Sequence, residues 1–106
     1  MGGSSRVAVV SGGGTGIGRA TAAALAGAGM DVVILGRRAE VLRVAAEELN
    51  GDRAAASGEV SWVRADVSDP VQVAEAAEVI RERYPVVDVV VNNAGGFGSG
   101  GGRGSG

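Results

Sequence analysis

The densest chemistry in the sequence is Ser11-Gly12-Gly13-Gly14-Thr15-Gly16-Ile17-Gly18. Glycines at this spacing let the chain bend tightly and leave backbone N–H groups uncovered, so an anion can approach the main chain itself. An apolar run at 7–10 precedes the segment and an alanine-rich stretch at 20–28 follows it. A helix that starts there points free N–H groups and its positive dipole end at that anion, which suits a pyrophosphate. Three further groups could do chemistry: Arg37-Arg38, whose guanidinium groups match phosphate; Asp66, a carboxylate at a strand end that can accept from an amine; and Asn92-Asn93, whose side chains both donate and accept.

The register of the turn decides which nucleotide it suits. The spacing G-x-G-x-x-G fails, because Gly12 and Gly14 would require glycine at Ile17, whereas G-x-x-x-G-x-G fits Gly12, Gly16 and Gly18. A phosphate loop for nucleotide hydrolysis has the right glycine separation from Gly13 to Gly18. It then meets Arg19-Ala20 where lysine and a magnesium-binding hydroxyl are needed. A plain strand-to-helix turn with no ligand is the third reading.

Hydrophobic periodicity supplies the elements that position these groups. Residues 6–10 read as a strand buried on both faces, and Ile17, Ala20, Ala24 and Ala28, with Leu25 beside them, read as the sheet-facing stripe of a first helix. Residues 31–36 repeat the strand pattern. Arg37-Arg38 then opens a second helix with Leu42, Ala45, Ala46 and Leu49 on one face, closed by Asn50-Gly51. A polar turn over 52–59 leads to a more mixed third strand at 60–65, suited to a sheet edge. Ser68-Asp69-Pro70 caps a third helix carrying Val73, Ala76, Ala77 and Ile80 and stopping at Tyr84-Pro85, and residues 86–91 form a fourth strand. Strict alternation with short connections implies an α/β doubly wound parallel sheet, truncated to about four strands in the order 3-2-1-4, with three helices. Residues 1–5 read as a flexible leader, 6–94 as the folded unit and 95–106 as a glycine-rich flexible tail, eight of whose twelve residues are glycine.

Composition narrows the function classes. A chain of 106 residues with 45% hydrophobic content has room for one packed domain, and a net charge of −2 gives no basic excess for nucleic acid. Cysteine, histidine and lysine are all absent, which argues against disulfides and against thiolate or imidazole metal sites. Apolar runs are too short for a membrane span and no secretory signal is evident, so a cytoplasmic protein is expected.

Taken together, the glycine turn of 11–18, Asp66-Val67 after the third strand and Asn92-Asn93-Ala94-Gly95 after the fourth resemble the short-chain dehydrogenase/reductase family over residues 6–96, its amino-terminal half. The resemblance implies a Rossmann-like fold. It also implies that the backbone around Gly12, Gly14, Thr15, Gly16, Ile17 and Gly18 holds the pyrophosphate of a dinucleotide. By the same resemblance Asp66 accepts from the adenine amino group, the Val67 N–H meets the ring, and Asn93, Ala94 and Gly95 line the ribose. Two rival roles stay open: Asp66 can cap its own loop toward Ser68 and Asp69, and Asn92 can satisfy buried backbone groups.

Cofactor choice follows from the end of the second strand. An NAD site places a carboxylate there for the ribose hydroxyls, whereas this sequence has Gly36 followed by Arg37 and Arg38. A carboxylate would repel a 2′-phosphate and guanidinium pairs with it, so NADP(H) is expected over NAD(H). The alternative is that both arginines are solvated residues at a helix start.

The resemblance further implies hydride transfer between nicotinamide and a carbonyl or alcohol carbon of a small molecule, with a tyrosine and a lysine four residues on moving the proton. This chain has no lysine, and Tyr84, its one tyrosine, precedes Pro85 at a helix end. The catalytic groups are therefore expected beyond Gly106, and the fragment alone is expected to be inactive. An alternative is a non-catalytic NADP(H)-binding module or sensor. The tail, with Arg103 as its one cation, offers little for RNA. The fourth strand would be left as an apolar edge, so marginal stability or self-association through that edge is expected.

Overall fold

The computed structural model describes residues 6–52 and 58–93. Seven elements alternate along the chain: β1 (Val7–Ser11), α1 (Gly16–Gly27), β2 (Asp31–Gly36), α2 (Ala39–Asp52), β3 (Val60–Arg64), α3 (Pro70–Arg83) and β4 (Val89–Asn92). All strand pairings are parallel and the sheet order is β3-β2-β1-β4. The expected leader at 1–5, part of the turn after α2, Ala94, Gly95 and the glycine-rich tail lie outside the described residues.

The period-two alternation of the central strands divides the interior between the two faces of the sheet. Ala8, Val10, Val32 and Ile34 point toward α1 and α2, where Ala22, Ala26, Leu42, Ala45 and Ala46 close over them. Val9, Val33 and Leu35 point the other way and meet Ala65, Ala76 and Ile80. Helices on both faces explain why β1 and β2 read as continuous apolar runs.

The start of α3 follows the sequence closely. Asp69 is its N-cap, its carboxylate accepting from the Val71 N–H at 3.0 Å, and Pro70 occupies the first helical turn. Of its expected stripe, Ala76 and Ile80 are buried, Ala77 is half-buried and Val73 is exposed.

Several boundaries and one helix face differ from the sequence reading. In α1 the buried residues are Gly18, Ala22 and Ala26, whereas Ala20, Ala24 and Ala28 are exposed and Ile17 is 77% exposed. A helix built from alanine offers little hydrophobic contrast, and the lone isoleucine set the wrong phase. β1 runs on to Ser11, and α2 begins at Ala39, after both arginines, and continues through Asp52. β4 starts at Val89 because β1 starts at Val7: Asp88 N–H donates to the Val7 carbonyl at 2.8 Å, and the ladder begins with Ala8 opposite Val89. Val86 and Val87, though apolar, precede it and are exposed.

β3 lies at one edge of the sheet, as its mixed composition implied. Its first residue does not present a bare edge. Asn50 Nδ2 donates to the Val60 carbonyl at 2.8 Å while Val60 N–H donates to Asn50 Oδ1 at 2.9 Å, so one side-chain amide occupies both outward backbone groups.

Candidate functional site

Three connections meet at the carboxyl ends of β1, β2 and β3 and enclose a cleft of about 350 Å³. The turn after β1 brings Gly12, Gly14 and Thr15; the connection after β2 brings Gly36, Arg37 and Arg38; the loop after β3 brings Ala65 through Ser68. Parallel strands place all their carboxyl ends on one side, which is why residues scattered over the sequence converge here.

The turn has the backbone geometry that its glycines allow. Gly12 and Gly16 have φ of 69° and 57°, in the left-handed region that side chains disfavour. Gly18 is needed for a different reason: a Cβ there would stand 1.9 Å from the Gly12 carbonyl oxygen. The turn therefore folds back onto the first turn of α1. Gly12 N–H donates to the Leu35 carbonyl at 2.8 Å, hanging the turn from the end of β2. α1 opens at Thr15, which makes no side-chain cap, and its first turn contains no acid, so its N-terminal dipole is not neutralised locally.

Of the residues singled out by sequence, the cleft gathers Gly12, Gly14, Thr15, Arg37, Arg38, Asp66 and Val67. Gly16, Ile17, Gly18 and Asn93 do not line it, and Ala94 and Gly95 lie outside the described residues. Arg37 and Arg38 are exposed, and neither forms an ion pair among the described residues, unlike Arg19, Arg43 and Arg83.

Asp66 does cap its own loop. Its Oδ1 accepts from the Ser68 N–H at 3.0 Å and the Ser68 hydroxyl at 2.6 Å, and its own N–H donates to Gln72 Oε1 at 2.9 Å. The Ser68 hydroxyl and amide hold the carboxyl below its ordinary value of 3.8, with the Arg37 and Arg64 charges adding to the effect. Its Oδ2 and the Val67 N–H have no hydrogen bond among the described residues, so loop capping and ligand binding are compatible in one side chain.

Ser11 links β1 to β4 beside the turn. Its hydroxyl donates to Asn92 Oδ1 at 3.0 Å and accepts from the Asn93 N–H at 3.0 Å. Asn92 thus has a structural role, but through the Ser11 side chain and not by satisfying buried backbone groups. The Asn93 Nδ2 is buried and has no partner among the described residues. Tyr84 is elsewhere: it packs half-buried against the cluster under α3, and burial pushes its phenol pKa up. Sequence reading passed over Ser11 as a linking residue and Arg64 altogether, since each acts through a neighbour that only the strand register reveals.

The short chain dehydrogenase family matches this sequence over residues 6–103. The chain belongs to that family. As a short-chain dehydrogenase it is 41% identical over 92 residues to a putative daunorubicin C-13 ketoreductase of a Streptomyces species, covering 87% of this chain and 31% of that protein. Among solved structures it resembles the RhlG/NADP active-site complex of Pseudomonas aeruginosa, with a TM-score of 0.76, 34% identity, and coverage of 85% of this chain and 34% of the other. It also resembles an actinorhodin polyketide ketoreductase with NADPH, with a TM-score of 0.77, 36% identity, and coverage of 86% and 33%. The chain spans 28%, 31% and 49% of the length of three curated relatives it matches.

Proposed function

We propose that this short-chain dehydrogenase chain forms the NADP(H)-binding portion of an oxidoreductase acting on a carbonyl or alcohol carbon of a small molecule. The observation that carries the reading is the cleft, in which a glycine turn opening α1 faces two arginines at the end of β2 that make no ion pair among the described residues, where a carboxylate would favour NAD(H). The NADP and NADPH seen with two solved relatives support it.

The residues present suit a dinucleotide. A Cβ on Gly14 would come within 2.8 Å of the Val41 side chain, so the turn packs bare backbone against α2, and the buried Asn93 amide has a donor to offer. In this reading the backbone of the turn from Gly12 to Gly18 holds the pyrophosphate through the N–H groups that follow Gly13, those of Gly12 and Gly13 being engaged by the Leu35 carbonyl; Arg37 and Arg38 pair with the 2′-phosphate, Asp66 Oδ2 accepts from the adenine amine, and Asn93, Ala94 and Gly95 meet the ribose. The nicotinamide, when bound, supplies or takes up hydride. This chain's own residues bind and orient, and none is assigned proton transfer, because it has no lysine or histidine and Tyr84 packs under α3.

Titration of the chain with NADPH and NADH, followed by Trp62 fluorescence or by heat, tests the assignment. NADPH is expected to bind about tenfold more tightly, the discrimination of one charge-assisted phosphate contact. Equal or tighter binding of NADH would refute it.

A further inference from the structure

Three consecutive carbonyls in the connection from β2 to α2 are each held from outside. Gly36 accepts from the Ala65 N–H at 2.8 Å, Arg37 from Arg64 Nε at 3.0 Å, and Arg38 from the Leu42 N–H at 3.1 Å. The first bond continues the parallel β2–β3 pairing, and the third belongs to the first turn of α2; both would form with almost any side chains. The middle bond alone depends on a side chain. It holds the peptide plane joining Arg37 to Arg38 and so constrains the directions in which both guanidinium groups leave the backbone.

The register explains why Arg64 can do this. Gly36 pairs with Arg64 at the end of the ladder, so the last side chain of β3 lies beside the point where the chain leaves β2. Gly36 has no side chain to obstruct it. Once Nε is engaged, the guanidinium retains its other N–H donors and its full charge. Arg64 makes no ion pair among the described residues, and like Arg37 it acts on the Asp66 carboxylate. Two cations therefore converge where the β2 and β3 connections meet.

We propose that Arg64 is a positioning residue that determines specificity for 2′-phosphorylated ligands: its Nε fixes the Arg37 peptide, and its charge adds to those of Arg37 and Arg38 from behind the cleft wall. The inference rests on reading the cleft as an NADP(H) site. A phosphate monoester carries between one and two negative charges at neutral pH and is bound best when the guanidinium groups that meet it are held in place, so a residue that fixes the Arg37 peptide and adds positive charge behind it has a physical purpose.

The test compares 2′,5′-ADP with 5′-AMP, by calorimetry or by amide chemical shifts, on the full chain and on R64M, R64K and R37M, with thermal melts run alongside. For wild type, 2′,5′-ADP should bind more tightly than 5′-AMP. R64M should lose about tenfold in 2′,5′-ADP affinity while its 5′-AMP affinity stays within about twofold, and R64K should recover part of the loss because an ammonium keeps the charge without the planar Nε contact. An R64M preference equal to that of wild type overturns the inference, and so does an equal loss of both ligands. If R37M abolishes the preference and R64M keeps it, the NADP(H) reading stands and the role of Arg64 falls. If wild type does not distinguish the two ligands, both fall together.

Discussion

Replacing Gly18 by alanine tests whether the turn depends on backbone contact, and the structure fixes the size of the effect. A Cβ at this position would lie 1.9 Å from the Gly12 oxygen, 2.6 Å from the Gly12 carbonyl carbon and 3.2 Å from Gly13 Cα, where real Cβ atoms stay beyond 3.0 Å. All three neighbours are main chain, so no rotamer change relieves the overlap, and the Gly12 peptide must retreat by about 1 Å. That peptide is tied to β2 through the Gly12 N–H and the Leu35 carbonyl. Overpacking of this kind costs about 3 kcal/mol, and the better helix propensity of alanine returns about 1 kcal/mol. The net loss of about 2 kcal/mol should lower Tm by about 8–16 °C in a domain of this size. Gly27, at the other end of the same helix, is the control, since nothing lies within 4 Å of a Cβ there. Gly27→Ala should stabilise by about 0.5 kcal/mol and raise Tm by about 2–4 °C. Thermal melts and urea titrations of the two variants, with 2′,5′-ADP binding measured well below each transition, separate lost stability from a lost site. A G18A protein that melts at or above the wild-type temperature refutes the reasoning.

Other outcomes follow from single contacts. Ser11→Ala removes the hydroxyl between β1 and the end of β4 and should cost about 1–2 kcal/mol in urea unfolding, with faster amide exchange at Asn93; unchanged exchange there would count against the link. Asp66 is held below 3.8 first by Ser68, so its carboxylate favours the folded loop above that pH, and the contribution disappears as pH falls through the depressed folded value. Ser68→Ala should move the Asp66 midpoint up toward 3.8 in an NMR titration, and an unmoved midpoint would show that Ser68 is not the cause. β4 pairs only with β1 among the described residues, and Val90 is 71% exposed. Sedimentation should therefore show concentration-dependent association that Val90→Lys suppresses, and a wild-type monomer at every concentration would contradict it.

Much of the architecture was legible because the sequence alternates two clear periods. The valine-rich runs gave four strands, the connection lengths implied parallel crossovers, and the stripe at Leu42, Ala45 and Ala46 gave the inner face of α2 correctly. The face of α1 was not legible, since alanine lines both sides and its closest contact with the turn is made by Gly18, a residue with no hydrophobic signature. The gathering of Arg37, Arg38, Asp66 and Val67 around the glycine turn could be anticipated because strand ends in a parallel sheet share one side. The bond from Arg64 to the Arg37 carbonyl could not, because it depends on which residue of β3 stands opposite Gly36. Asp66 shows a further limit: its type and place suggested two roles, and only the positions of its two oxygens reveal that one role leaves room for the other.

The amide of Asn50 gives the sheet a polarity of growth. By filling both outward backbone groups of Val60 it acts as a neighbouring strand one residue long, so a foreign strand cannot start its ladder on that rung of β3. The opposite margin has no such stopper among the described residues. A fibre needs two receptive margins, because each copy must give one and take the other; a pair needs only one, shared about a twofold axis. Asparagine at position 50 thus disfavours any endless stack whose ladder would begin on that rung.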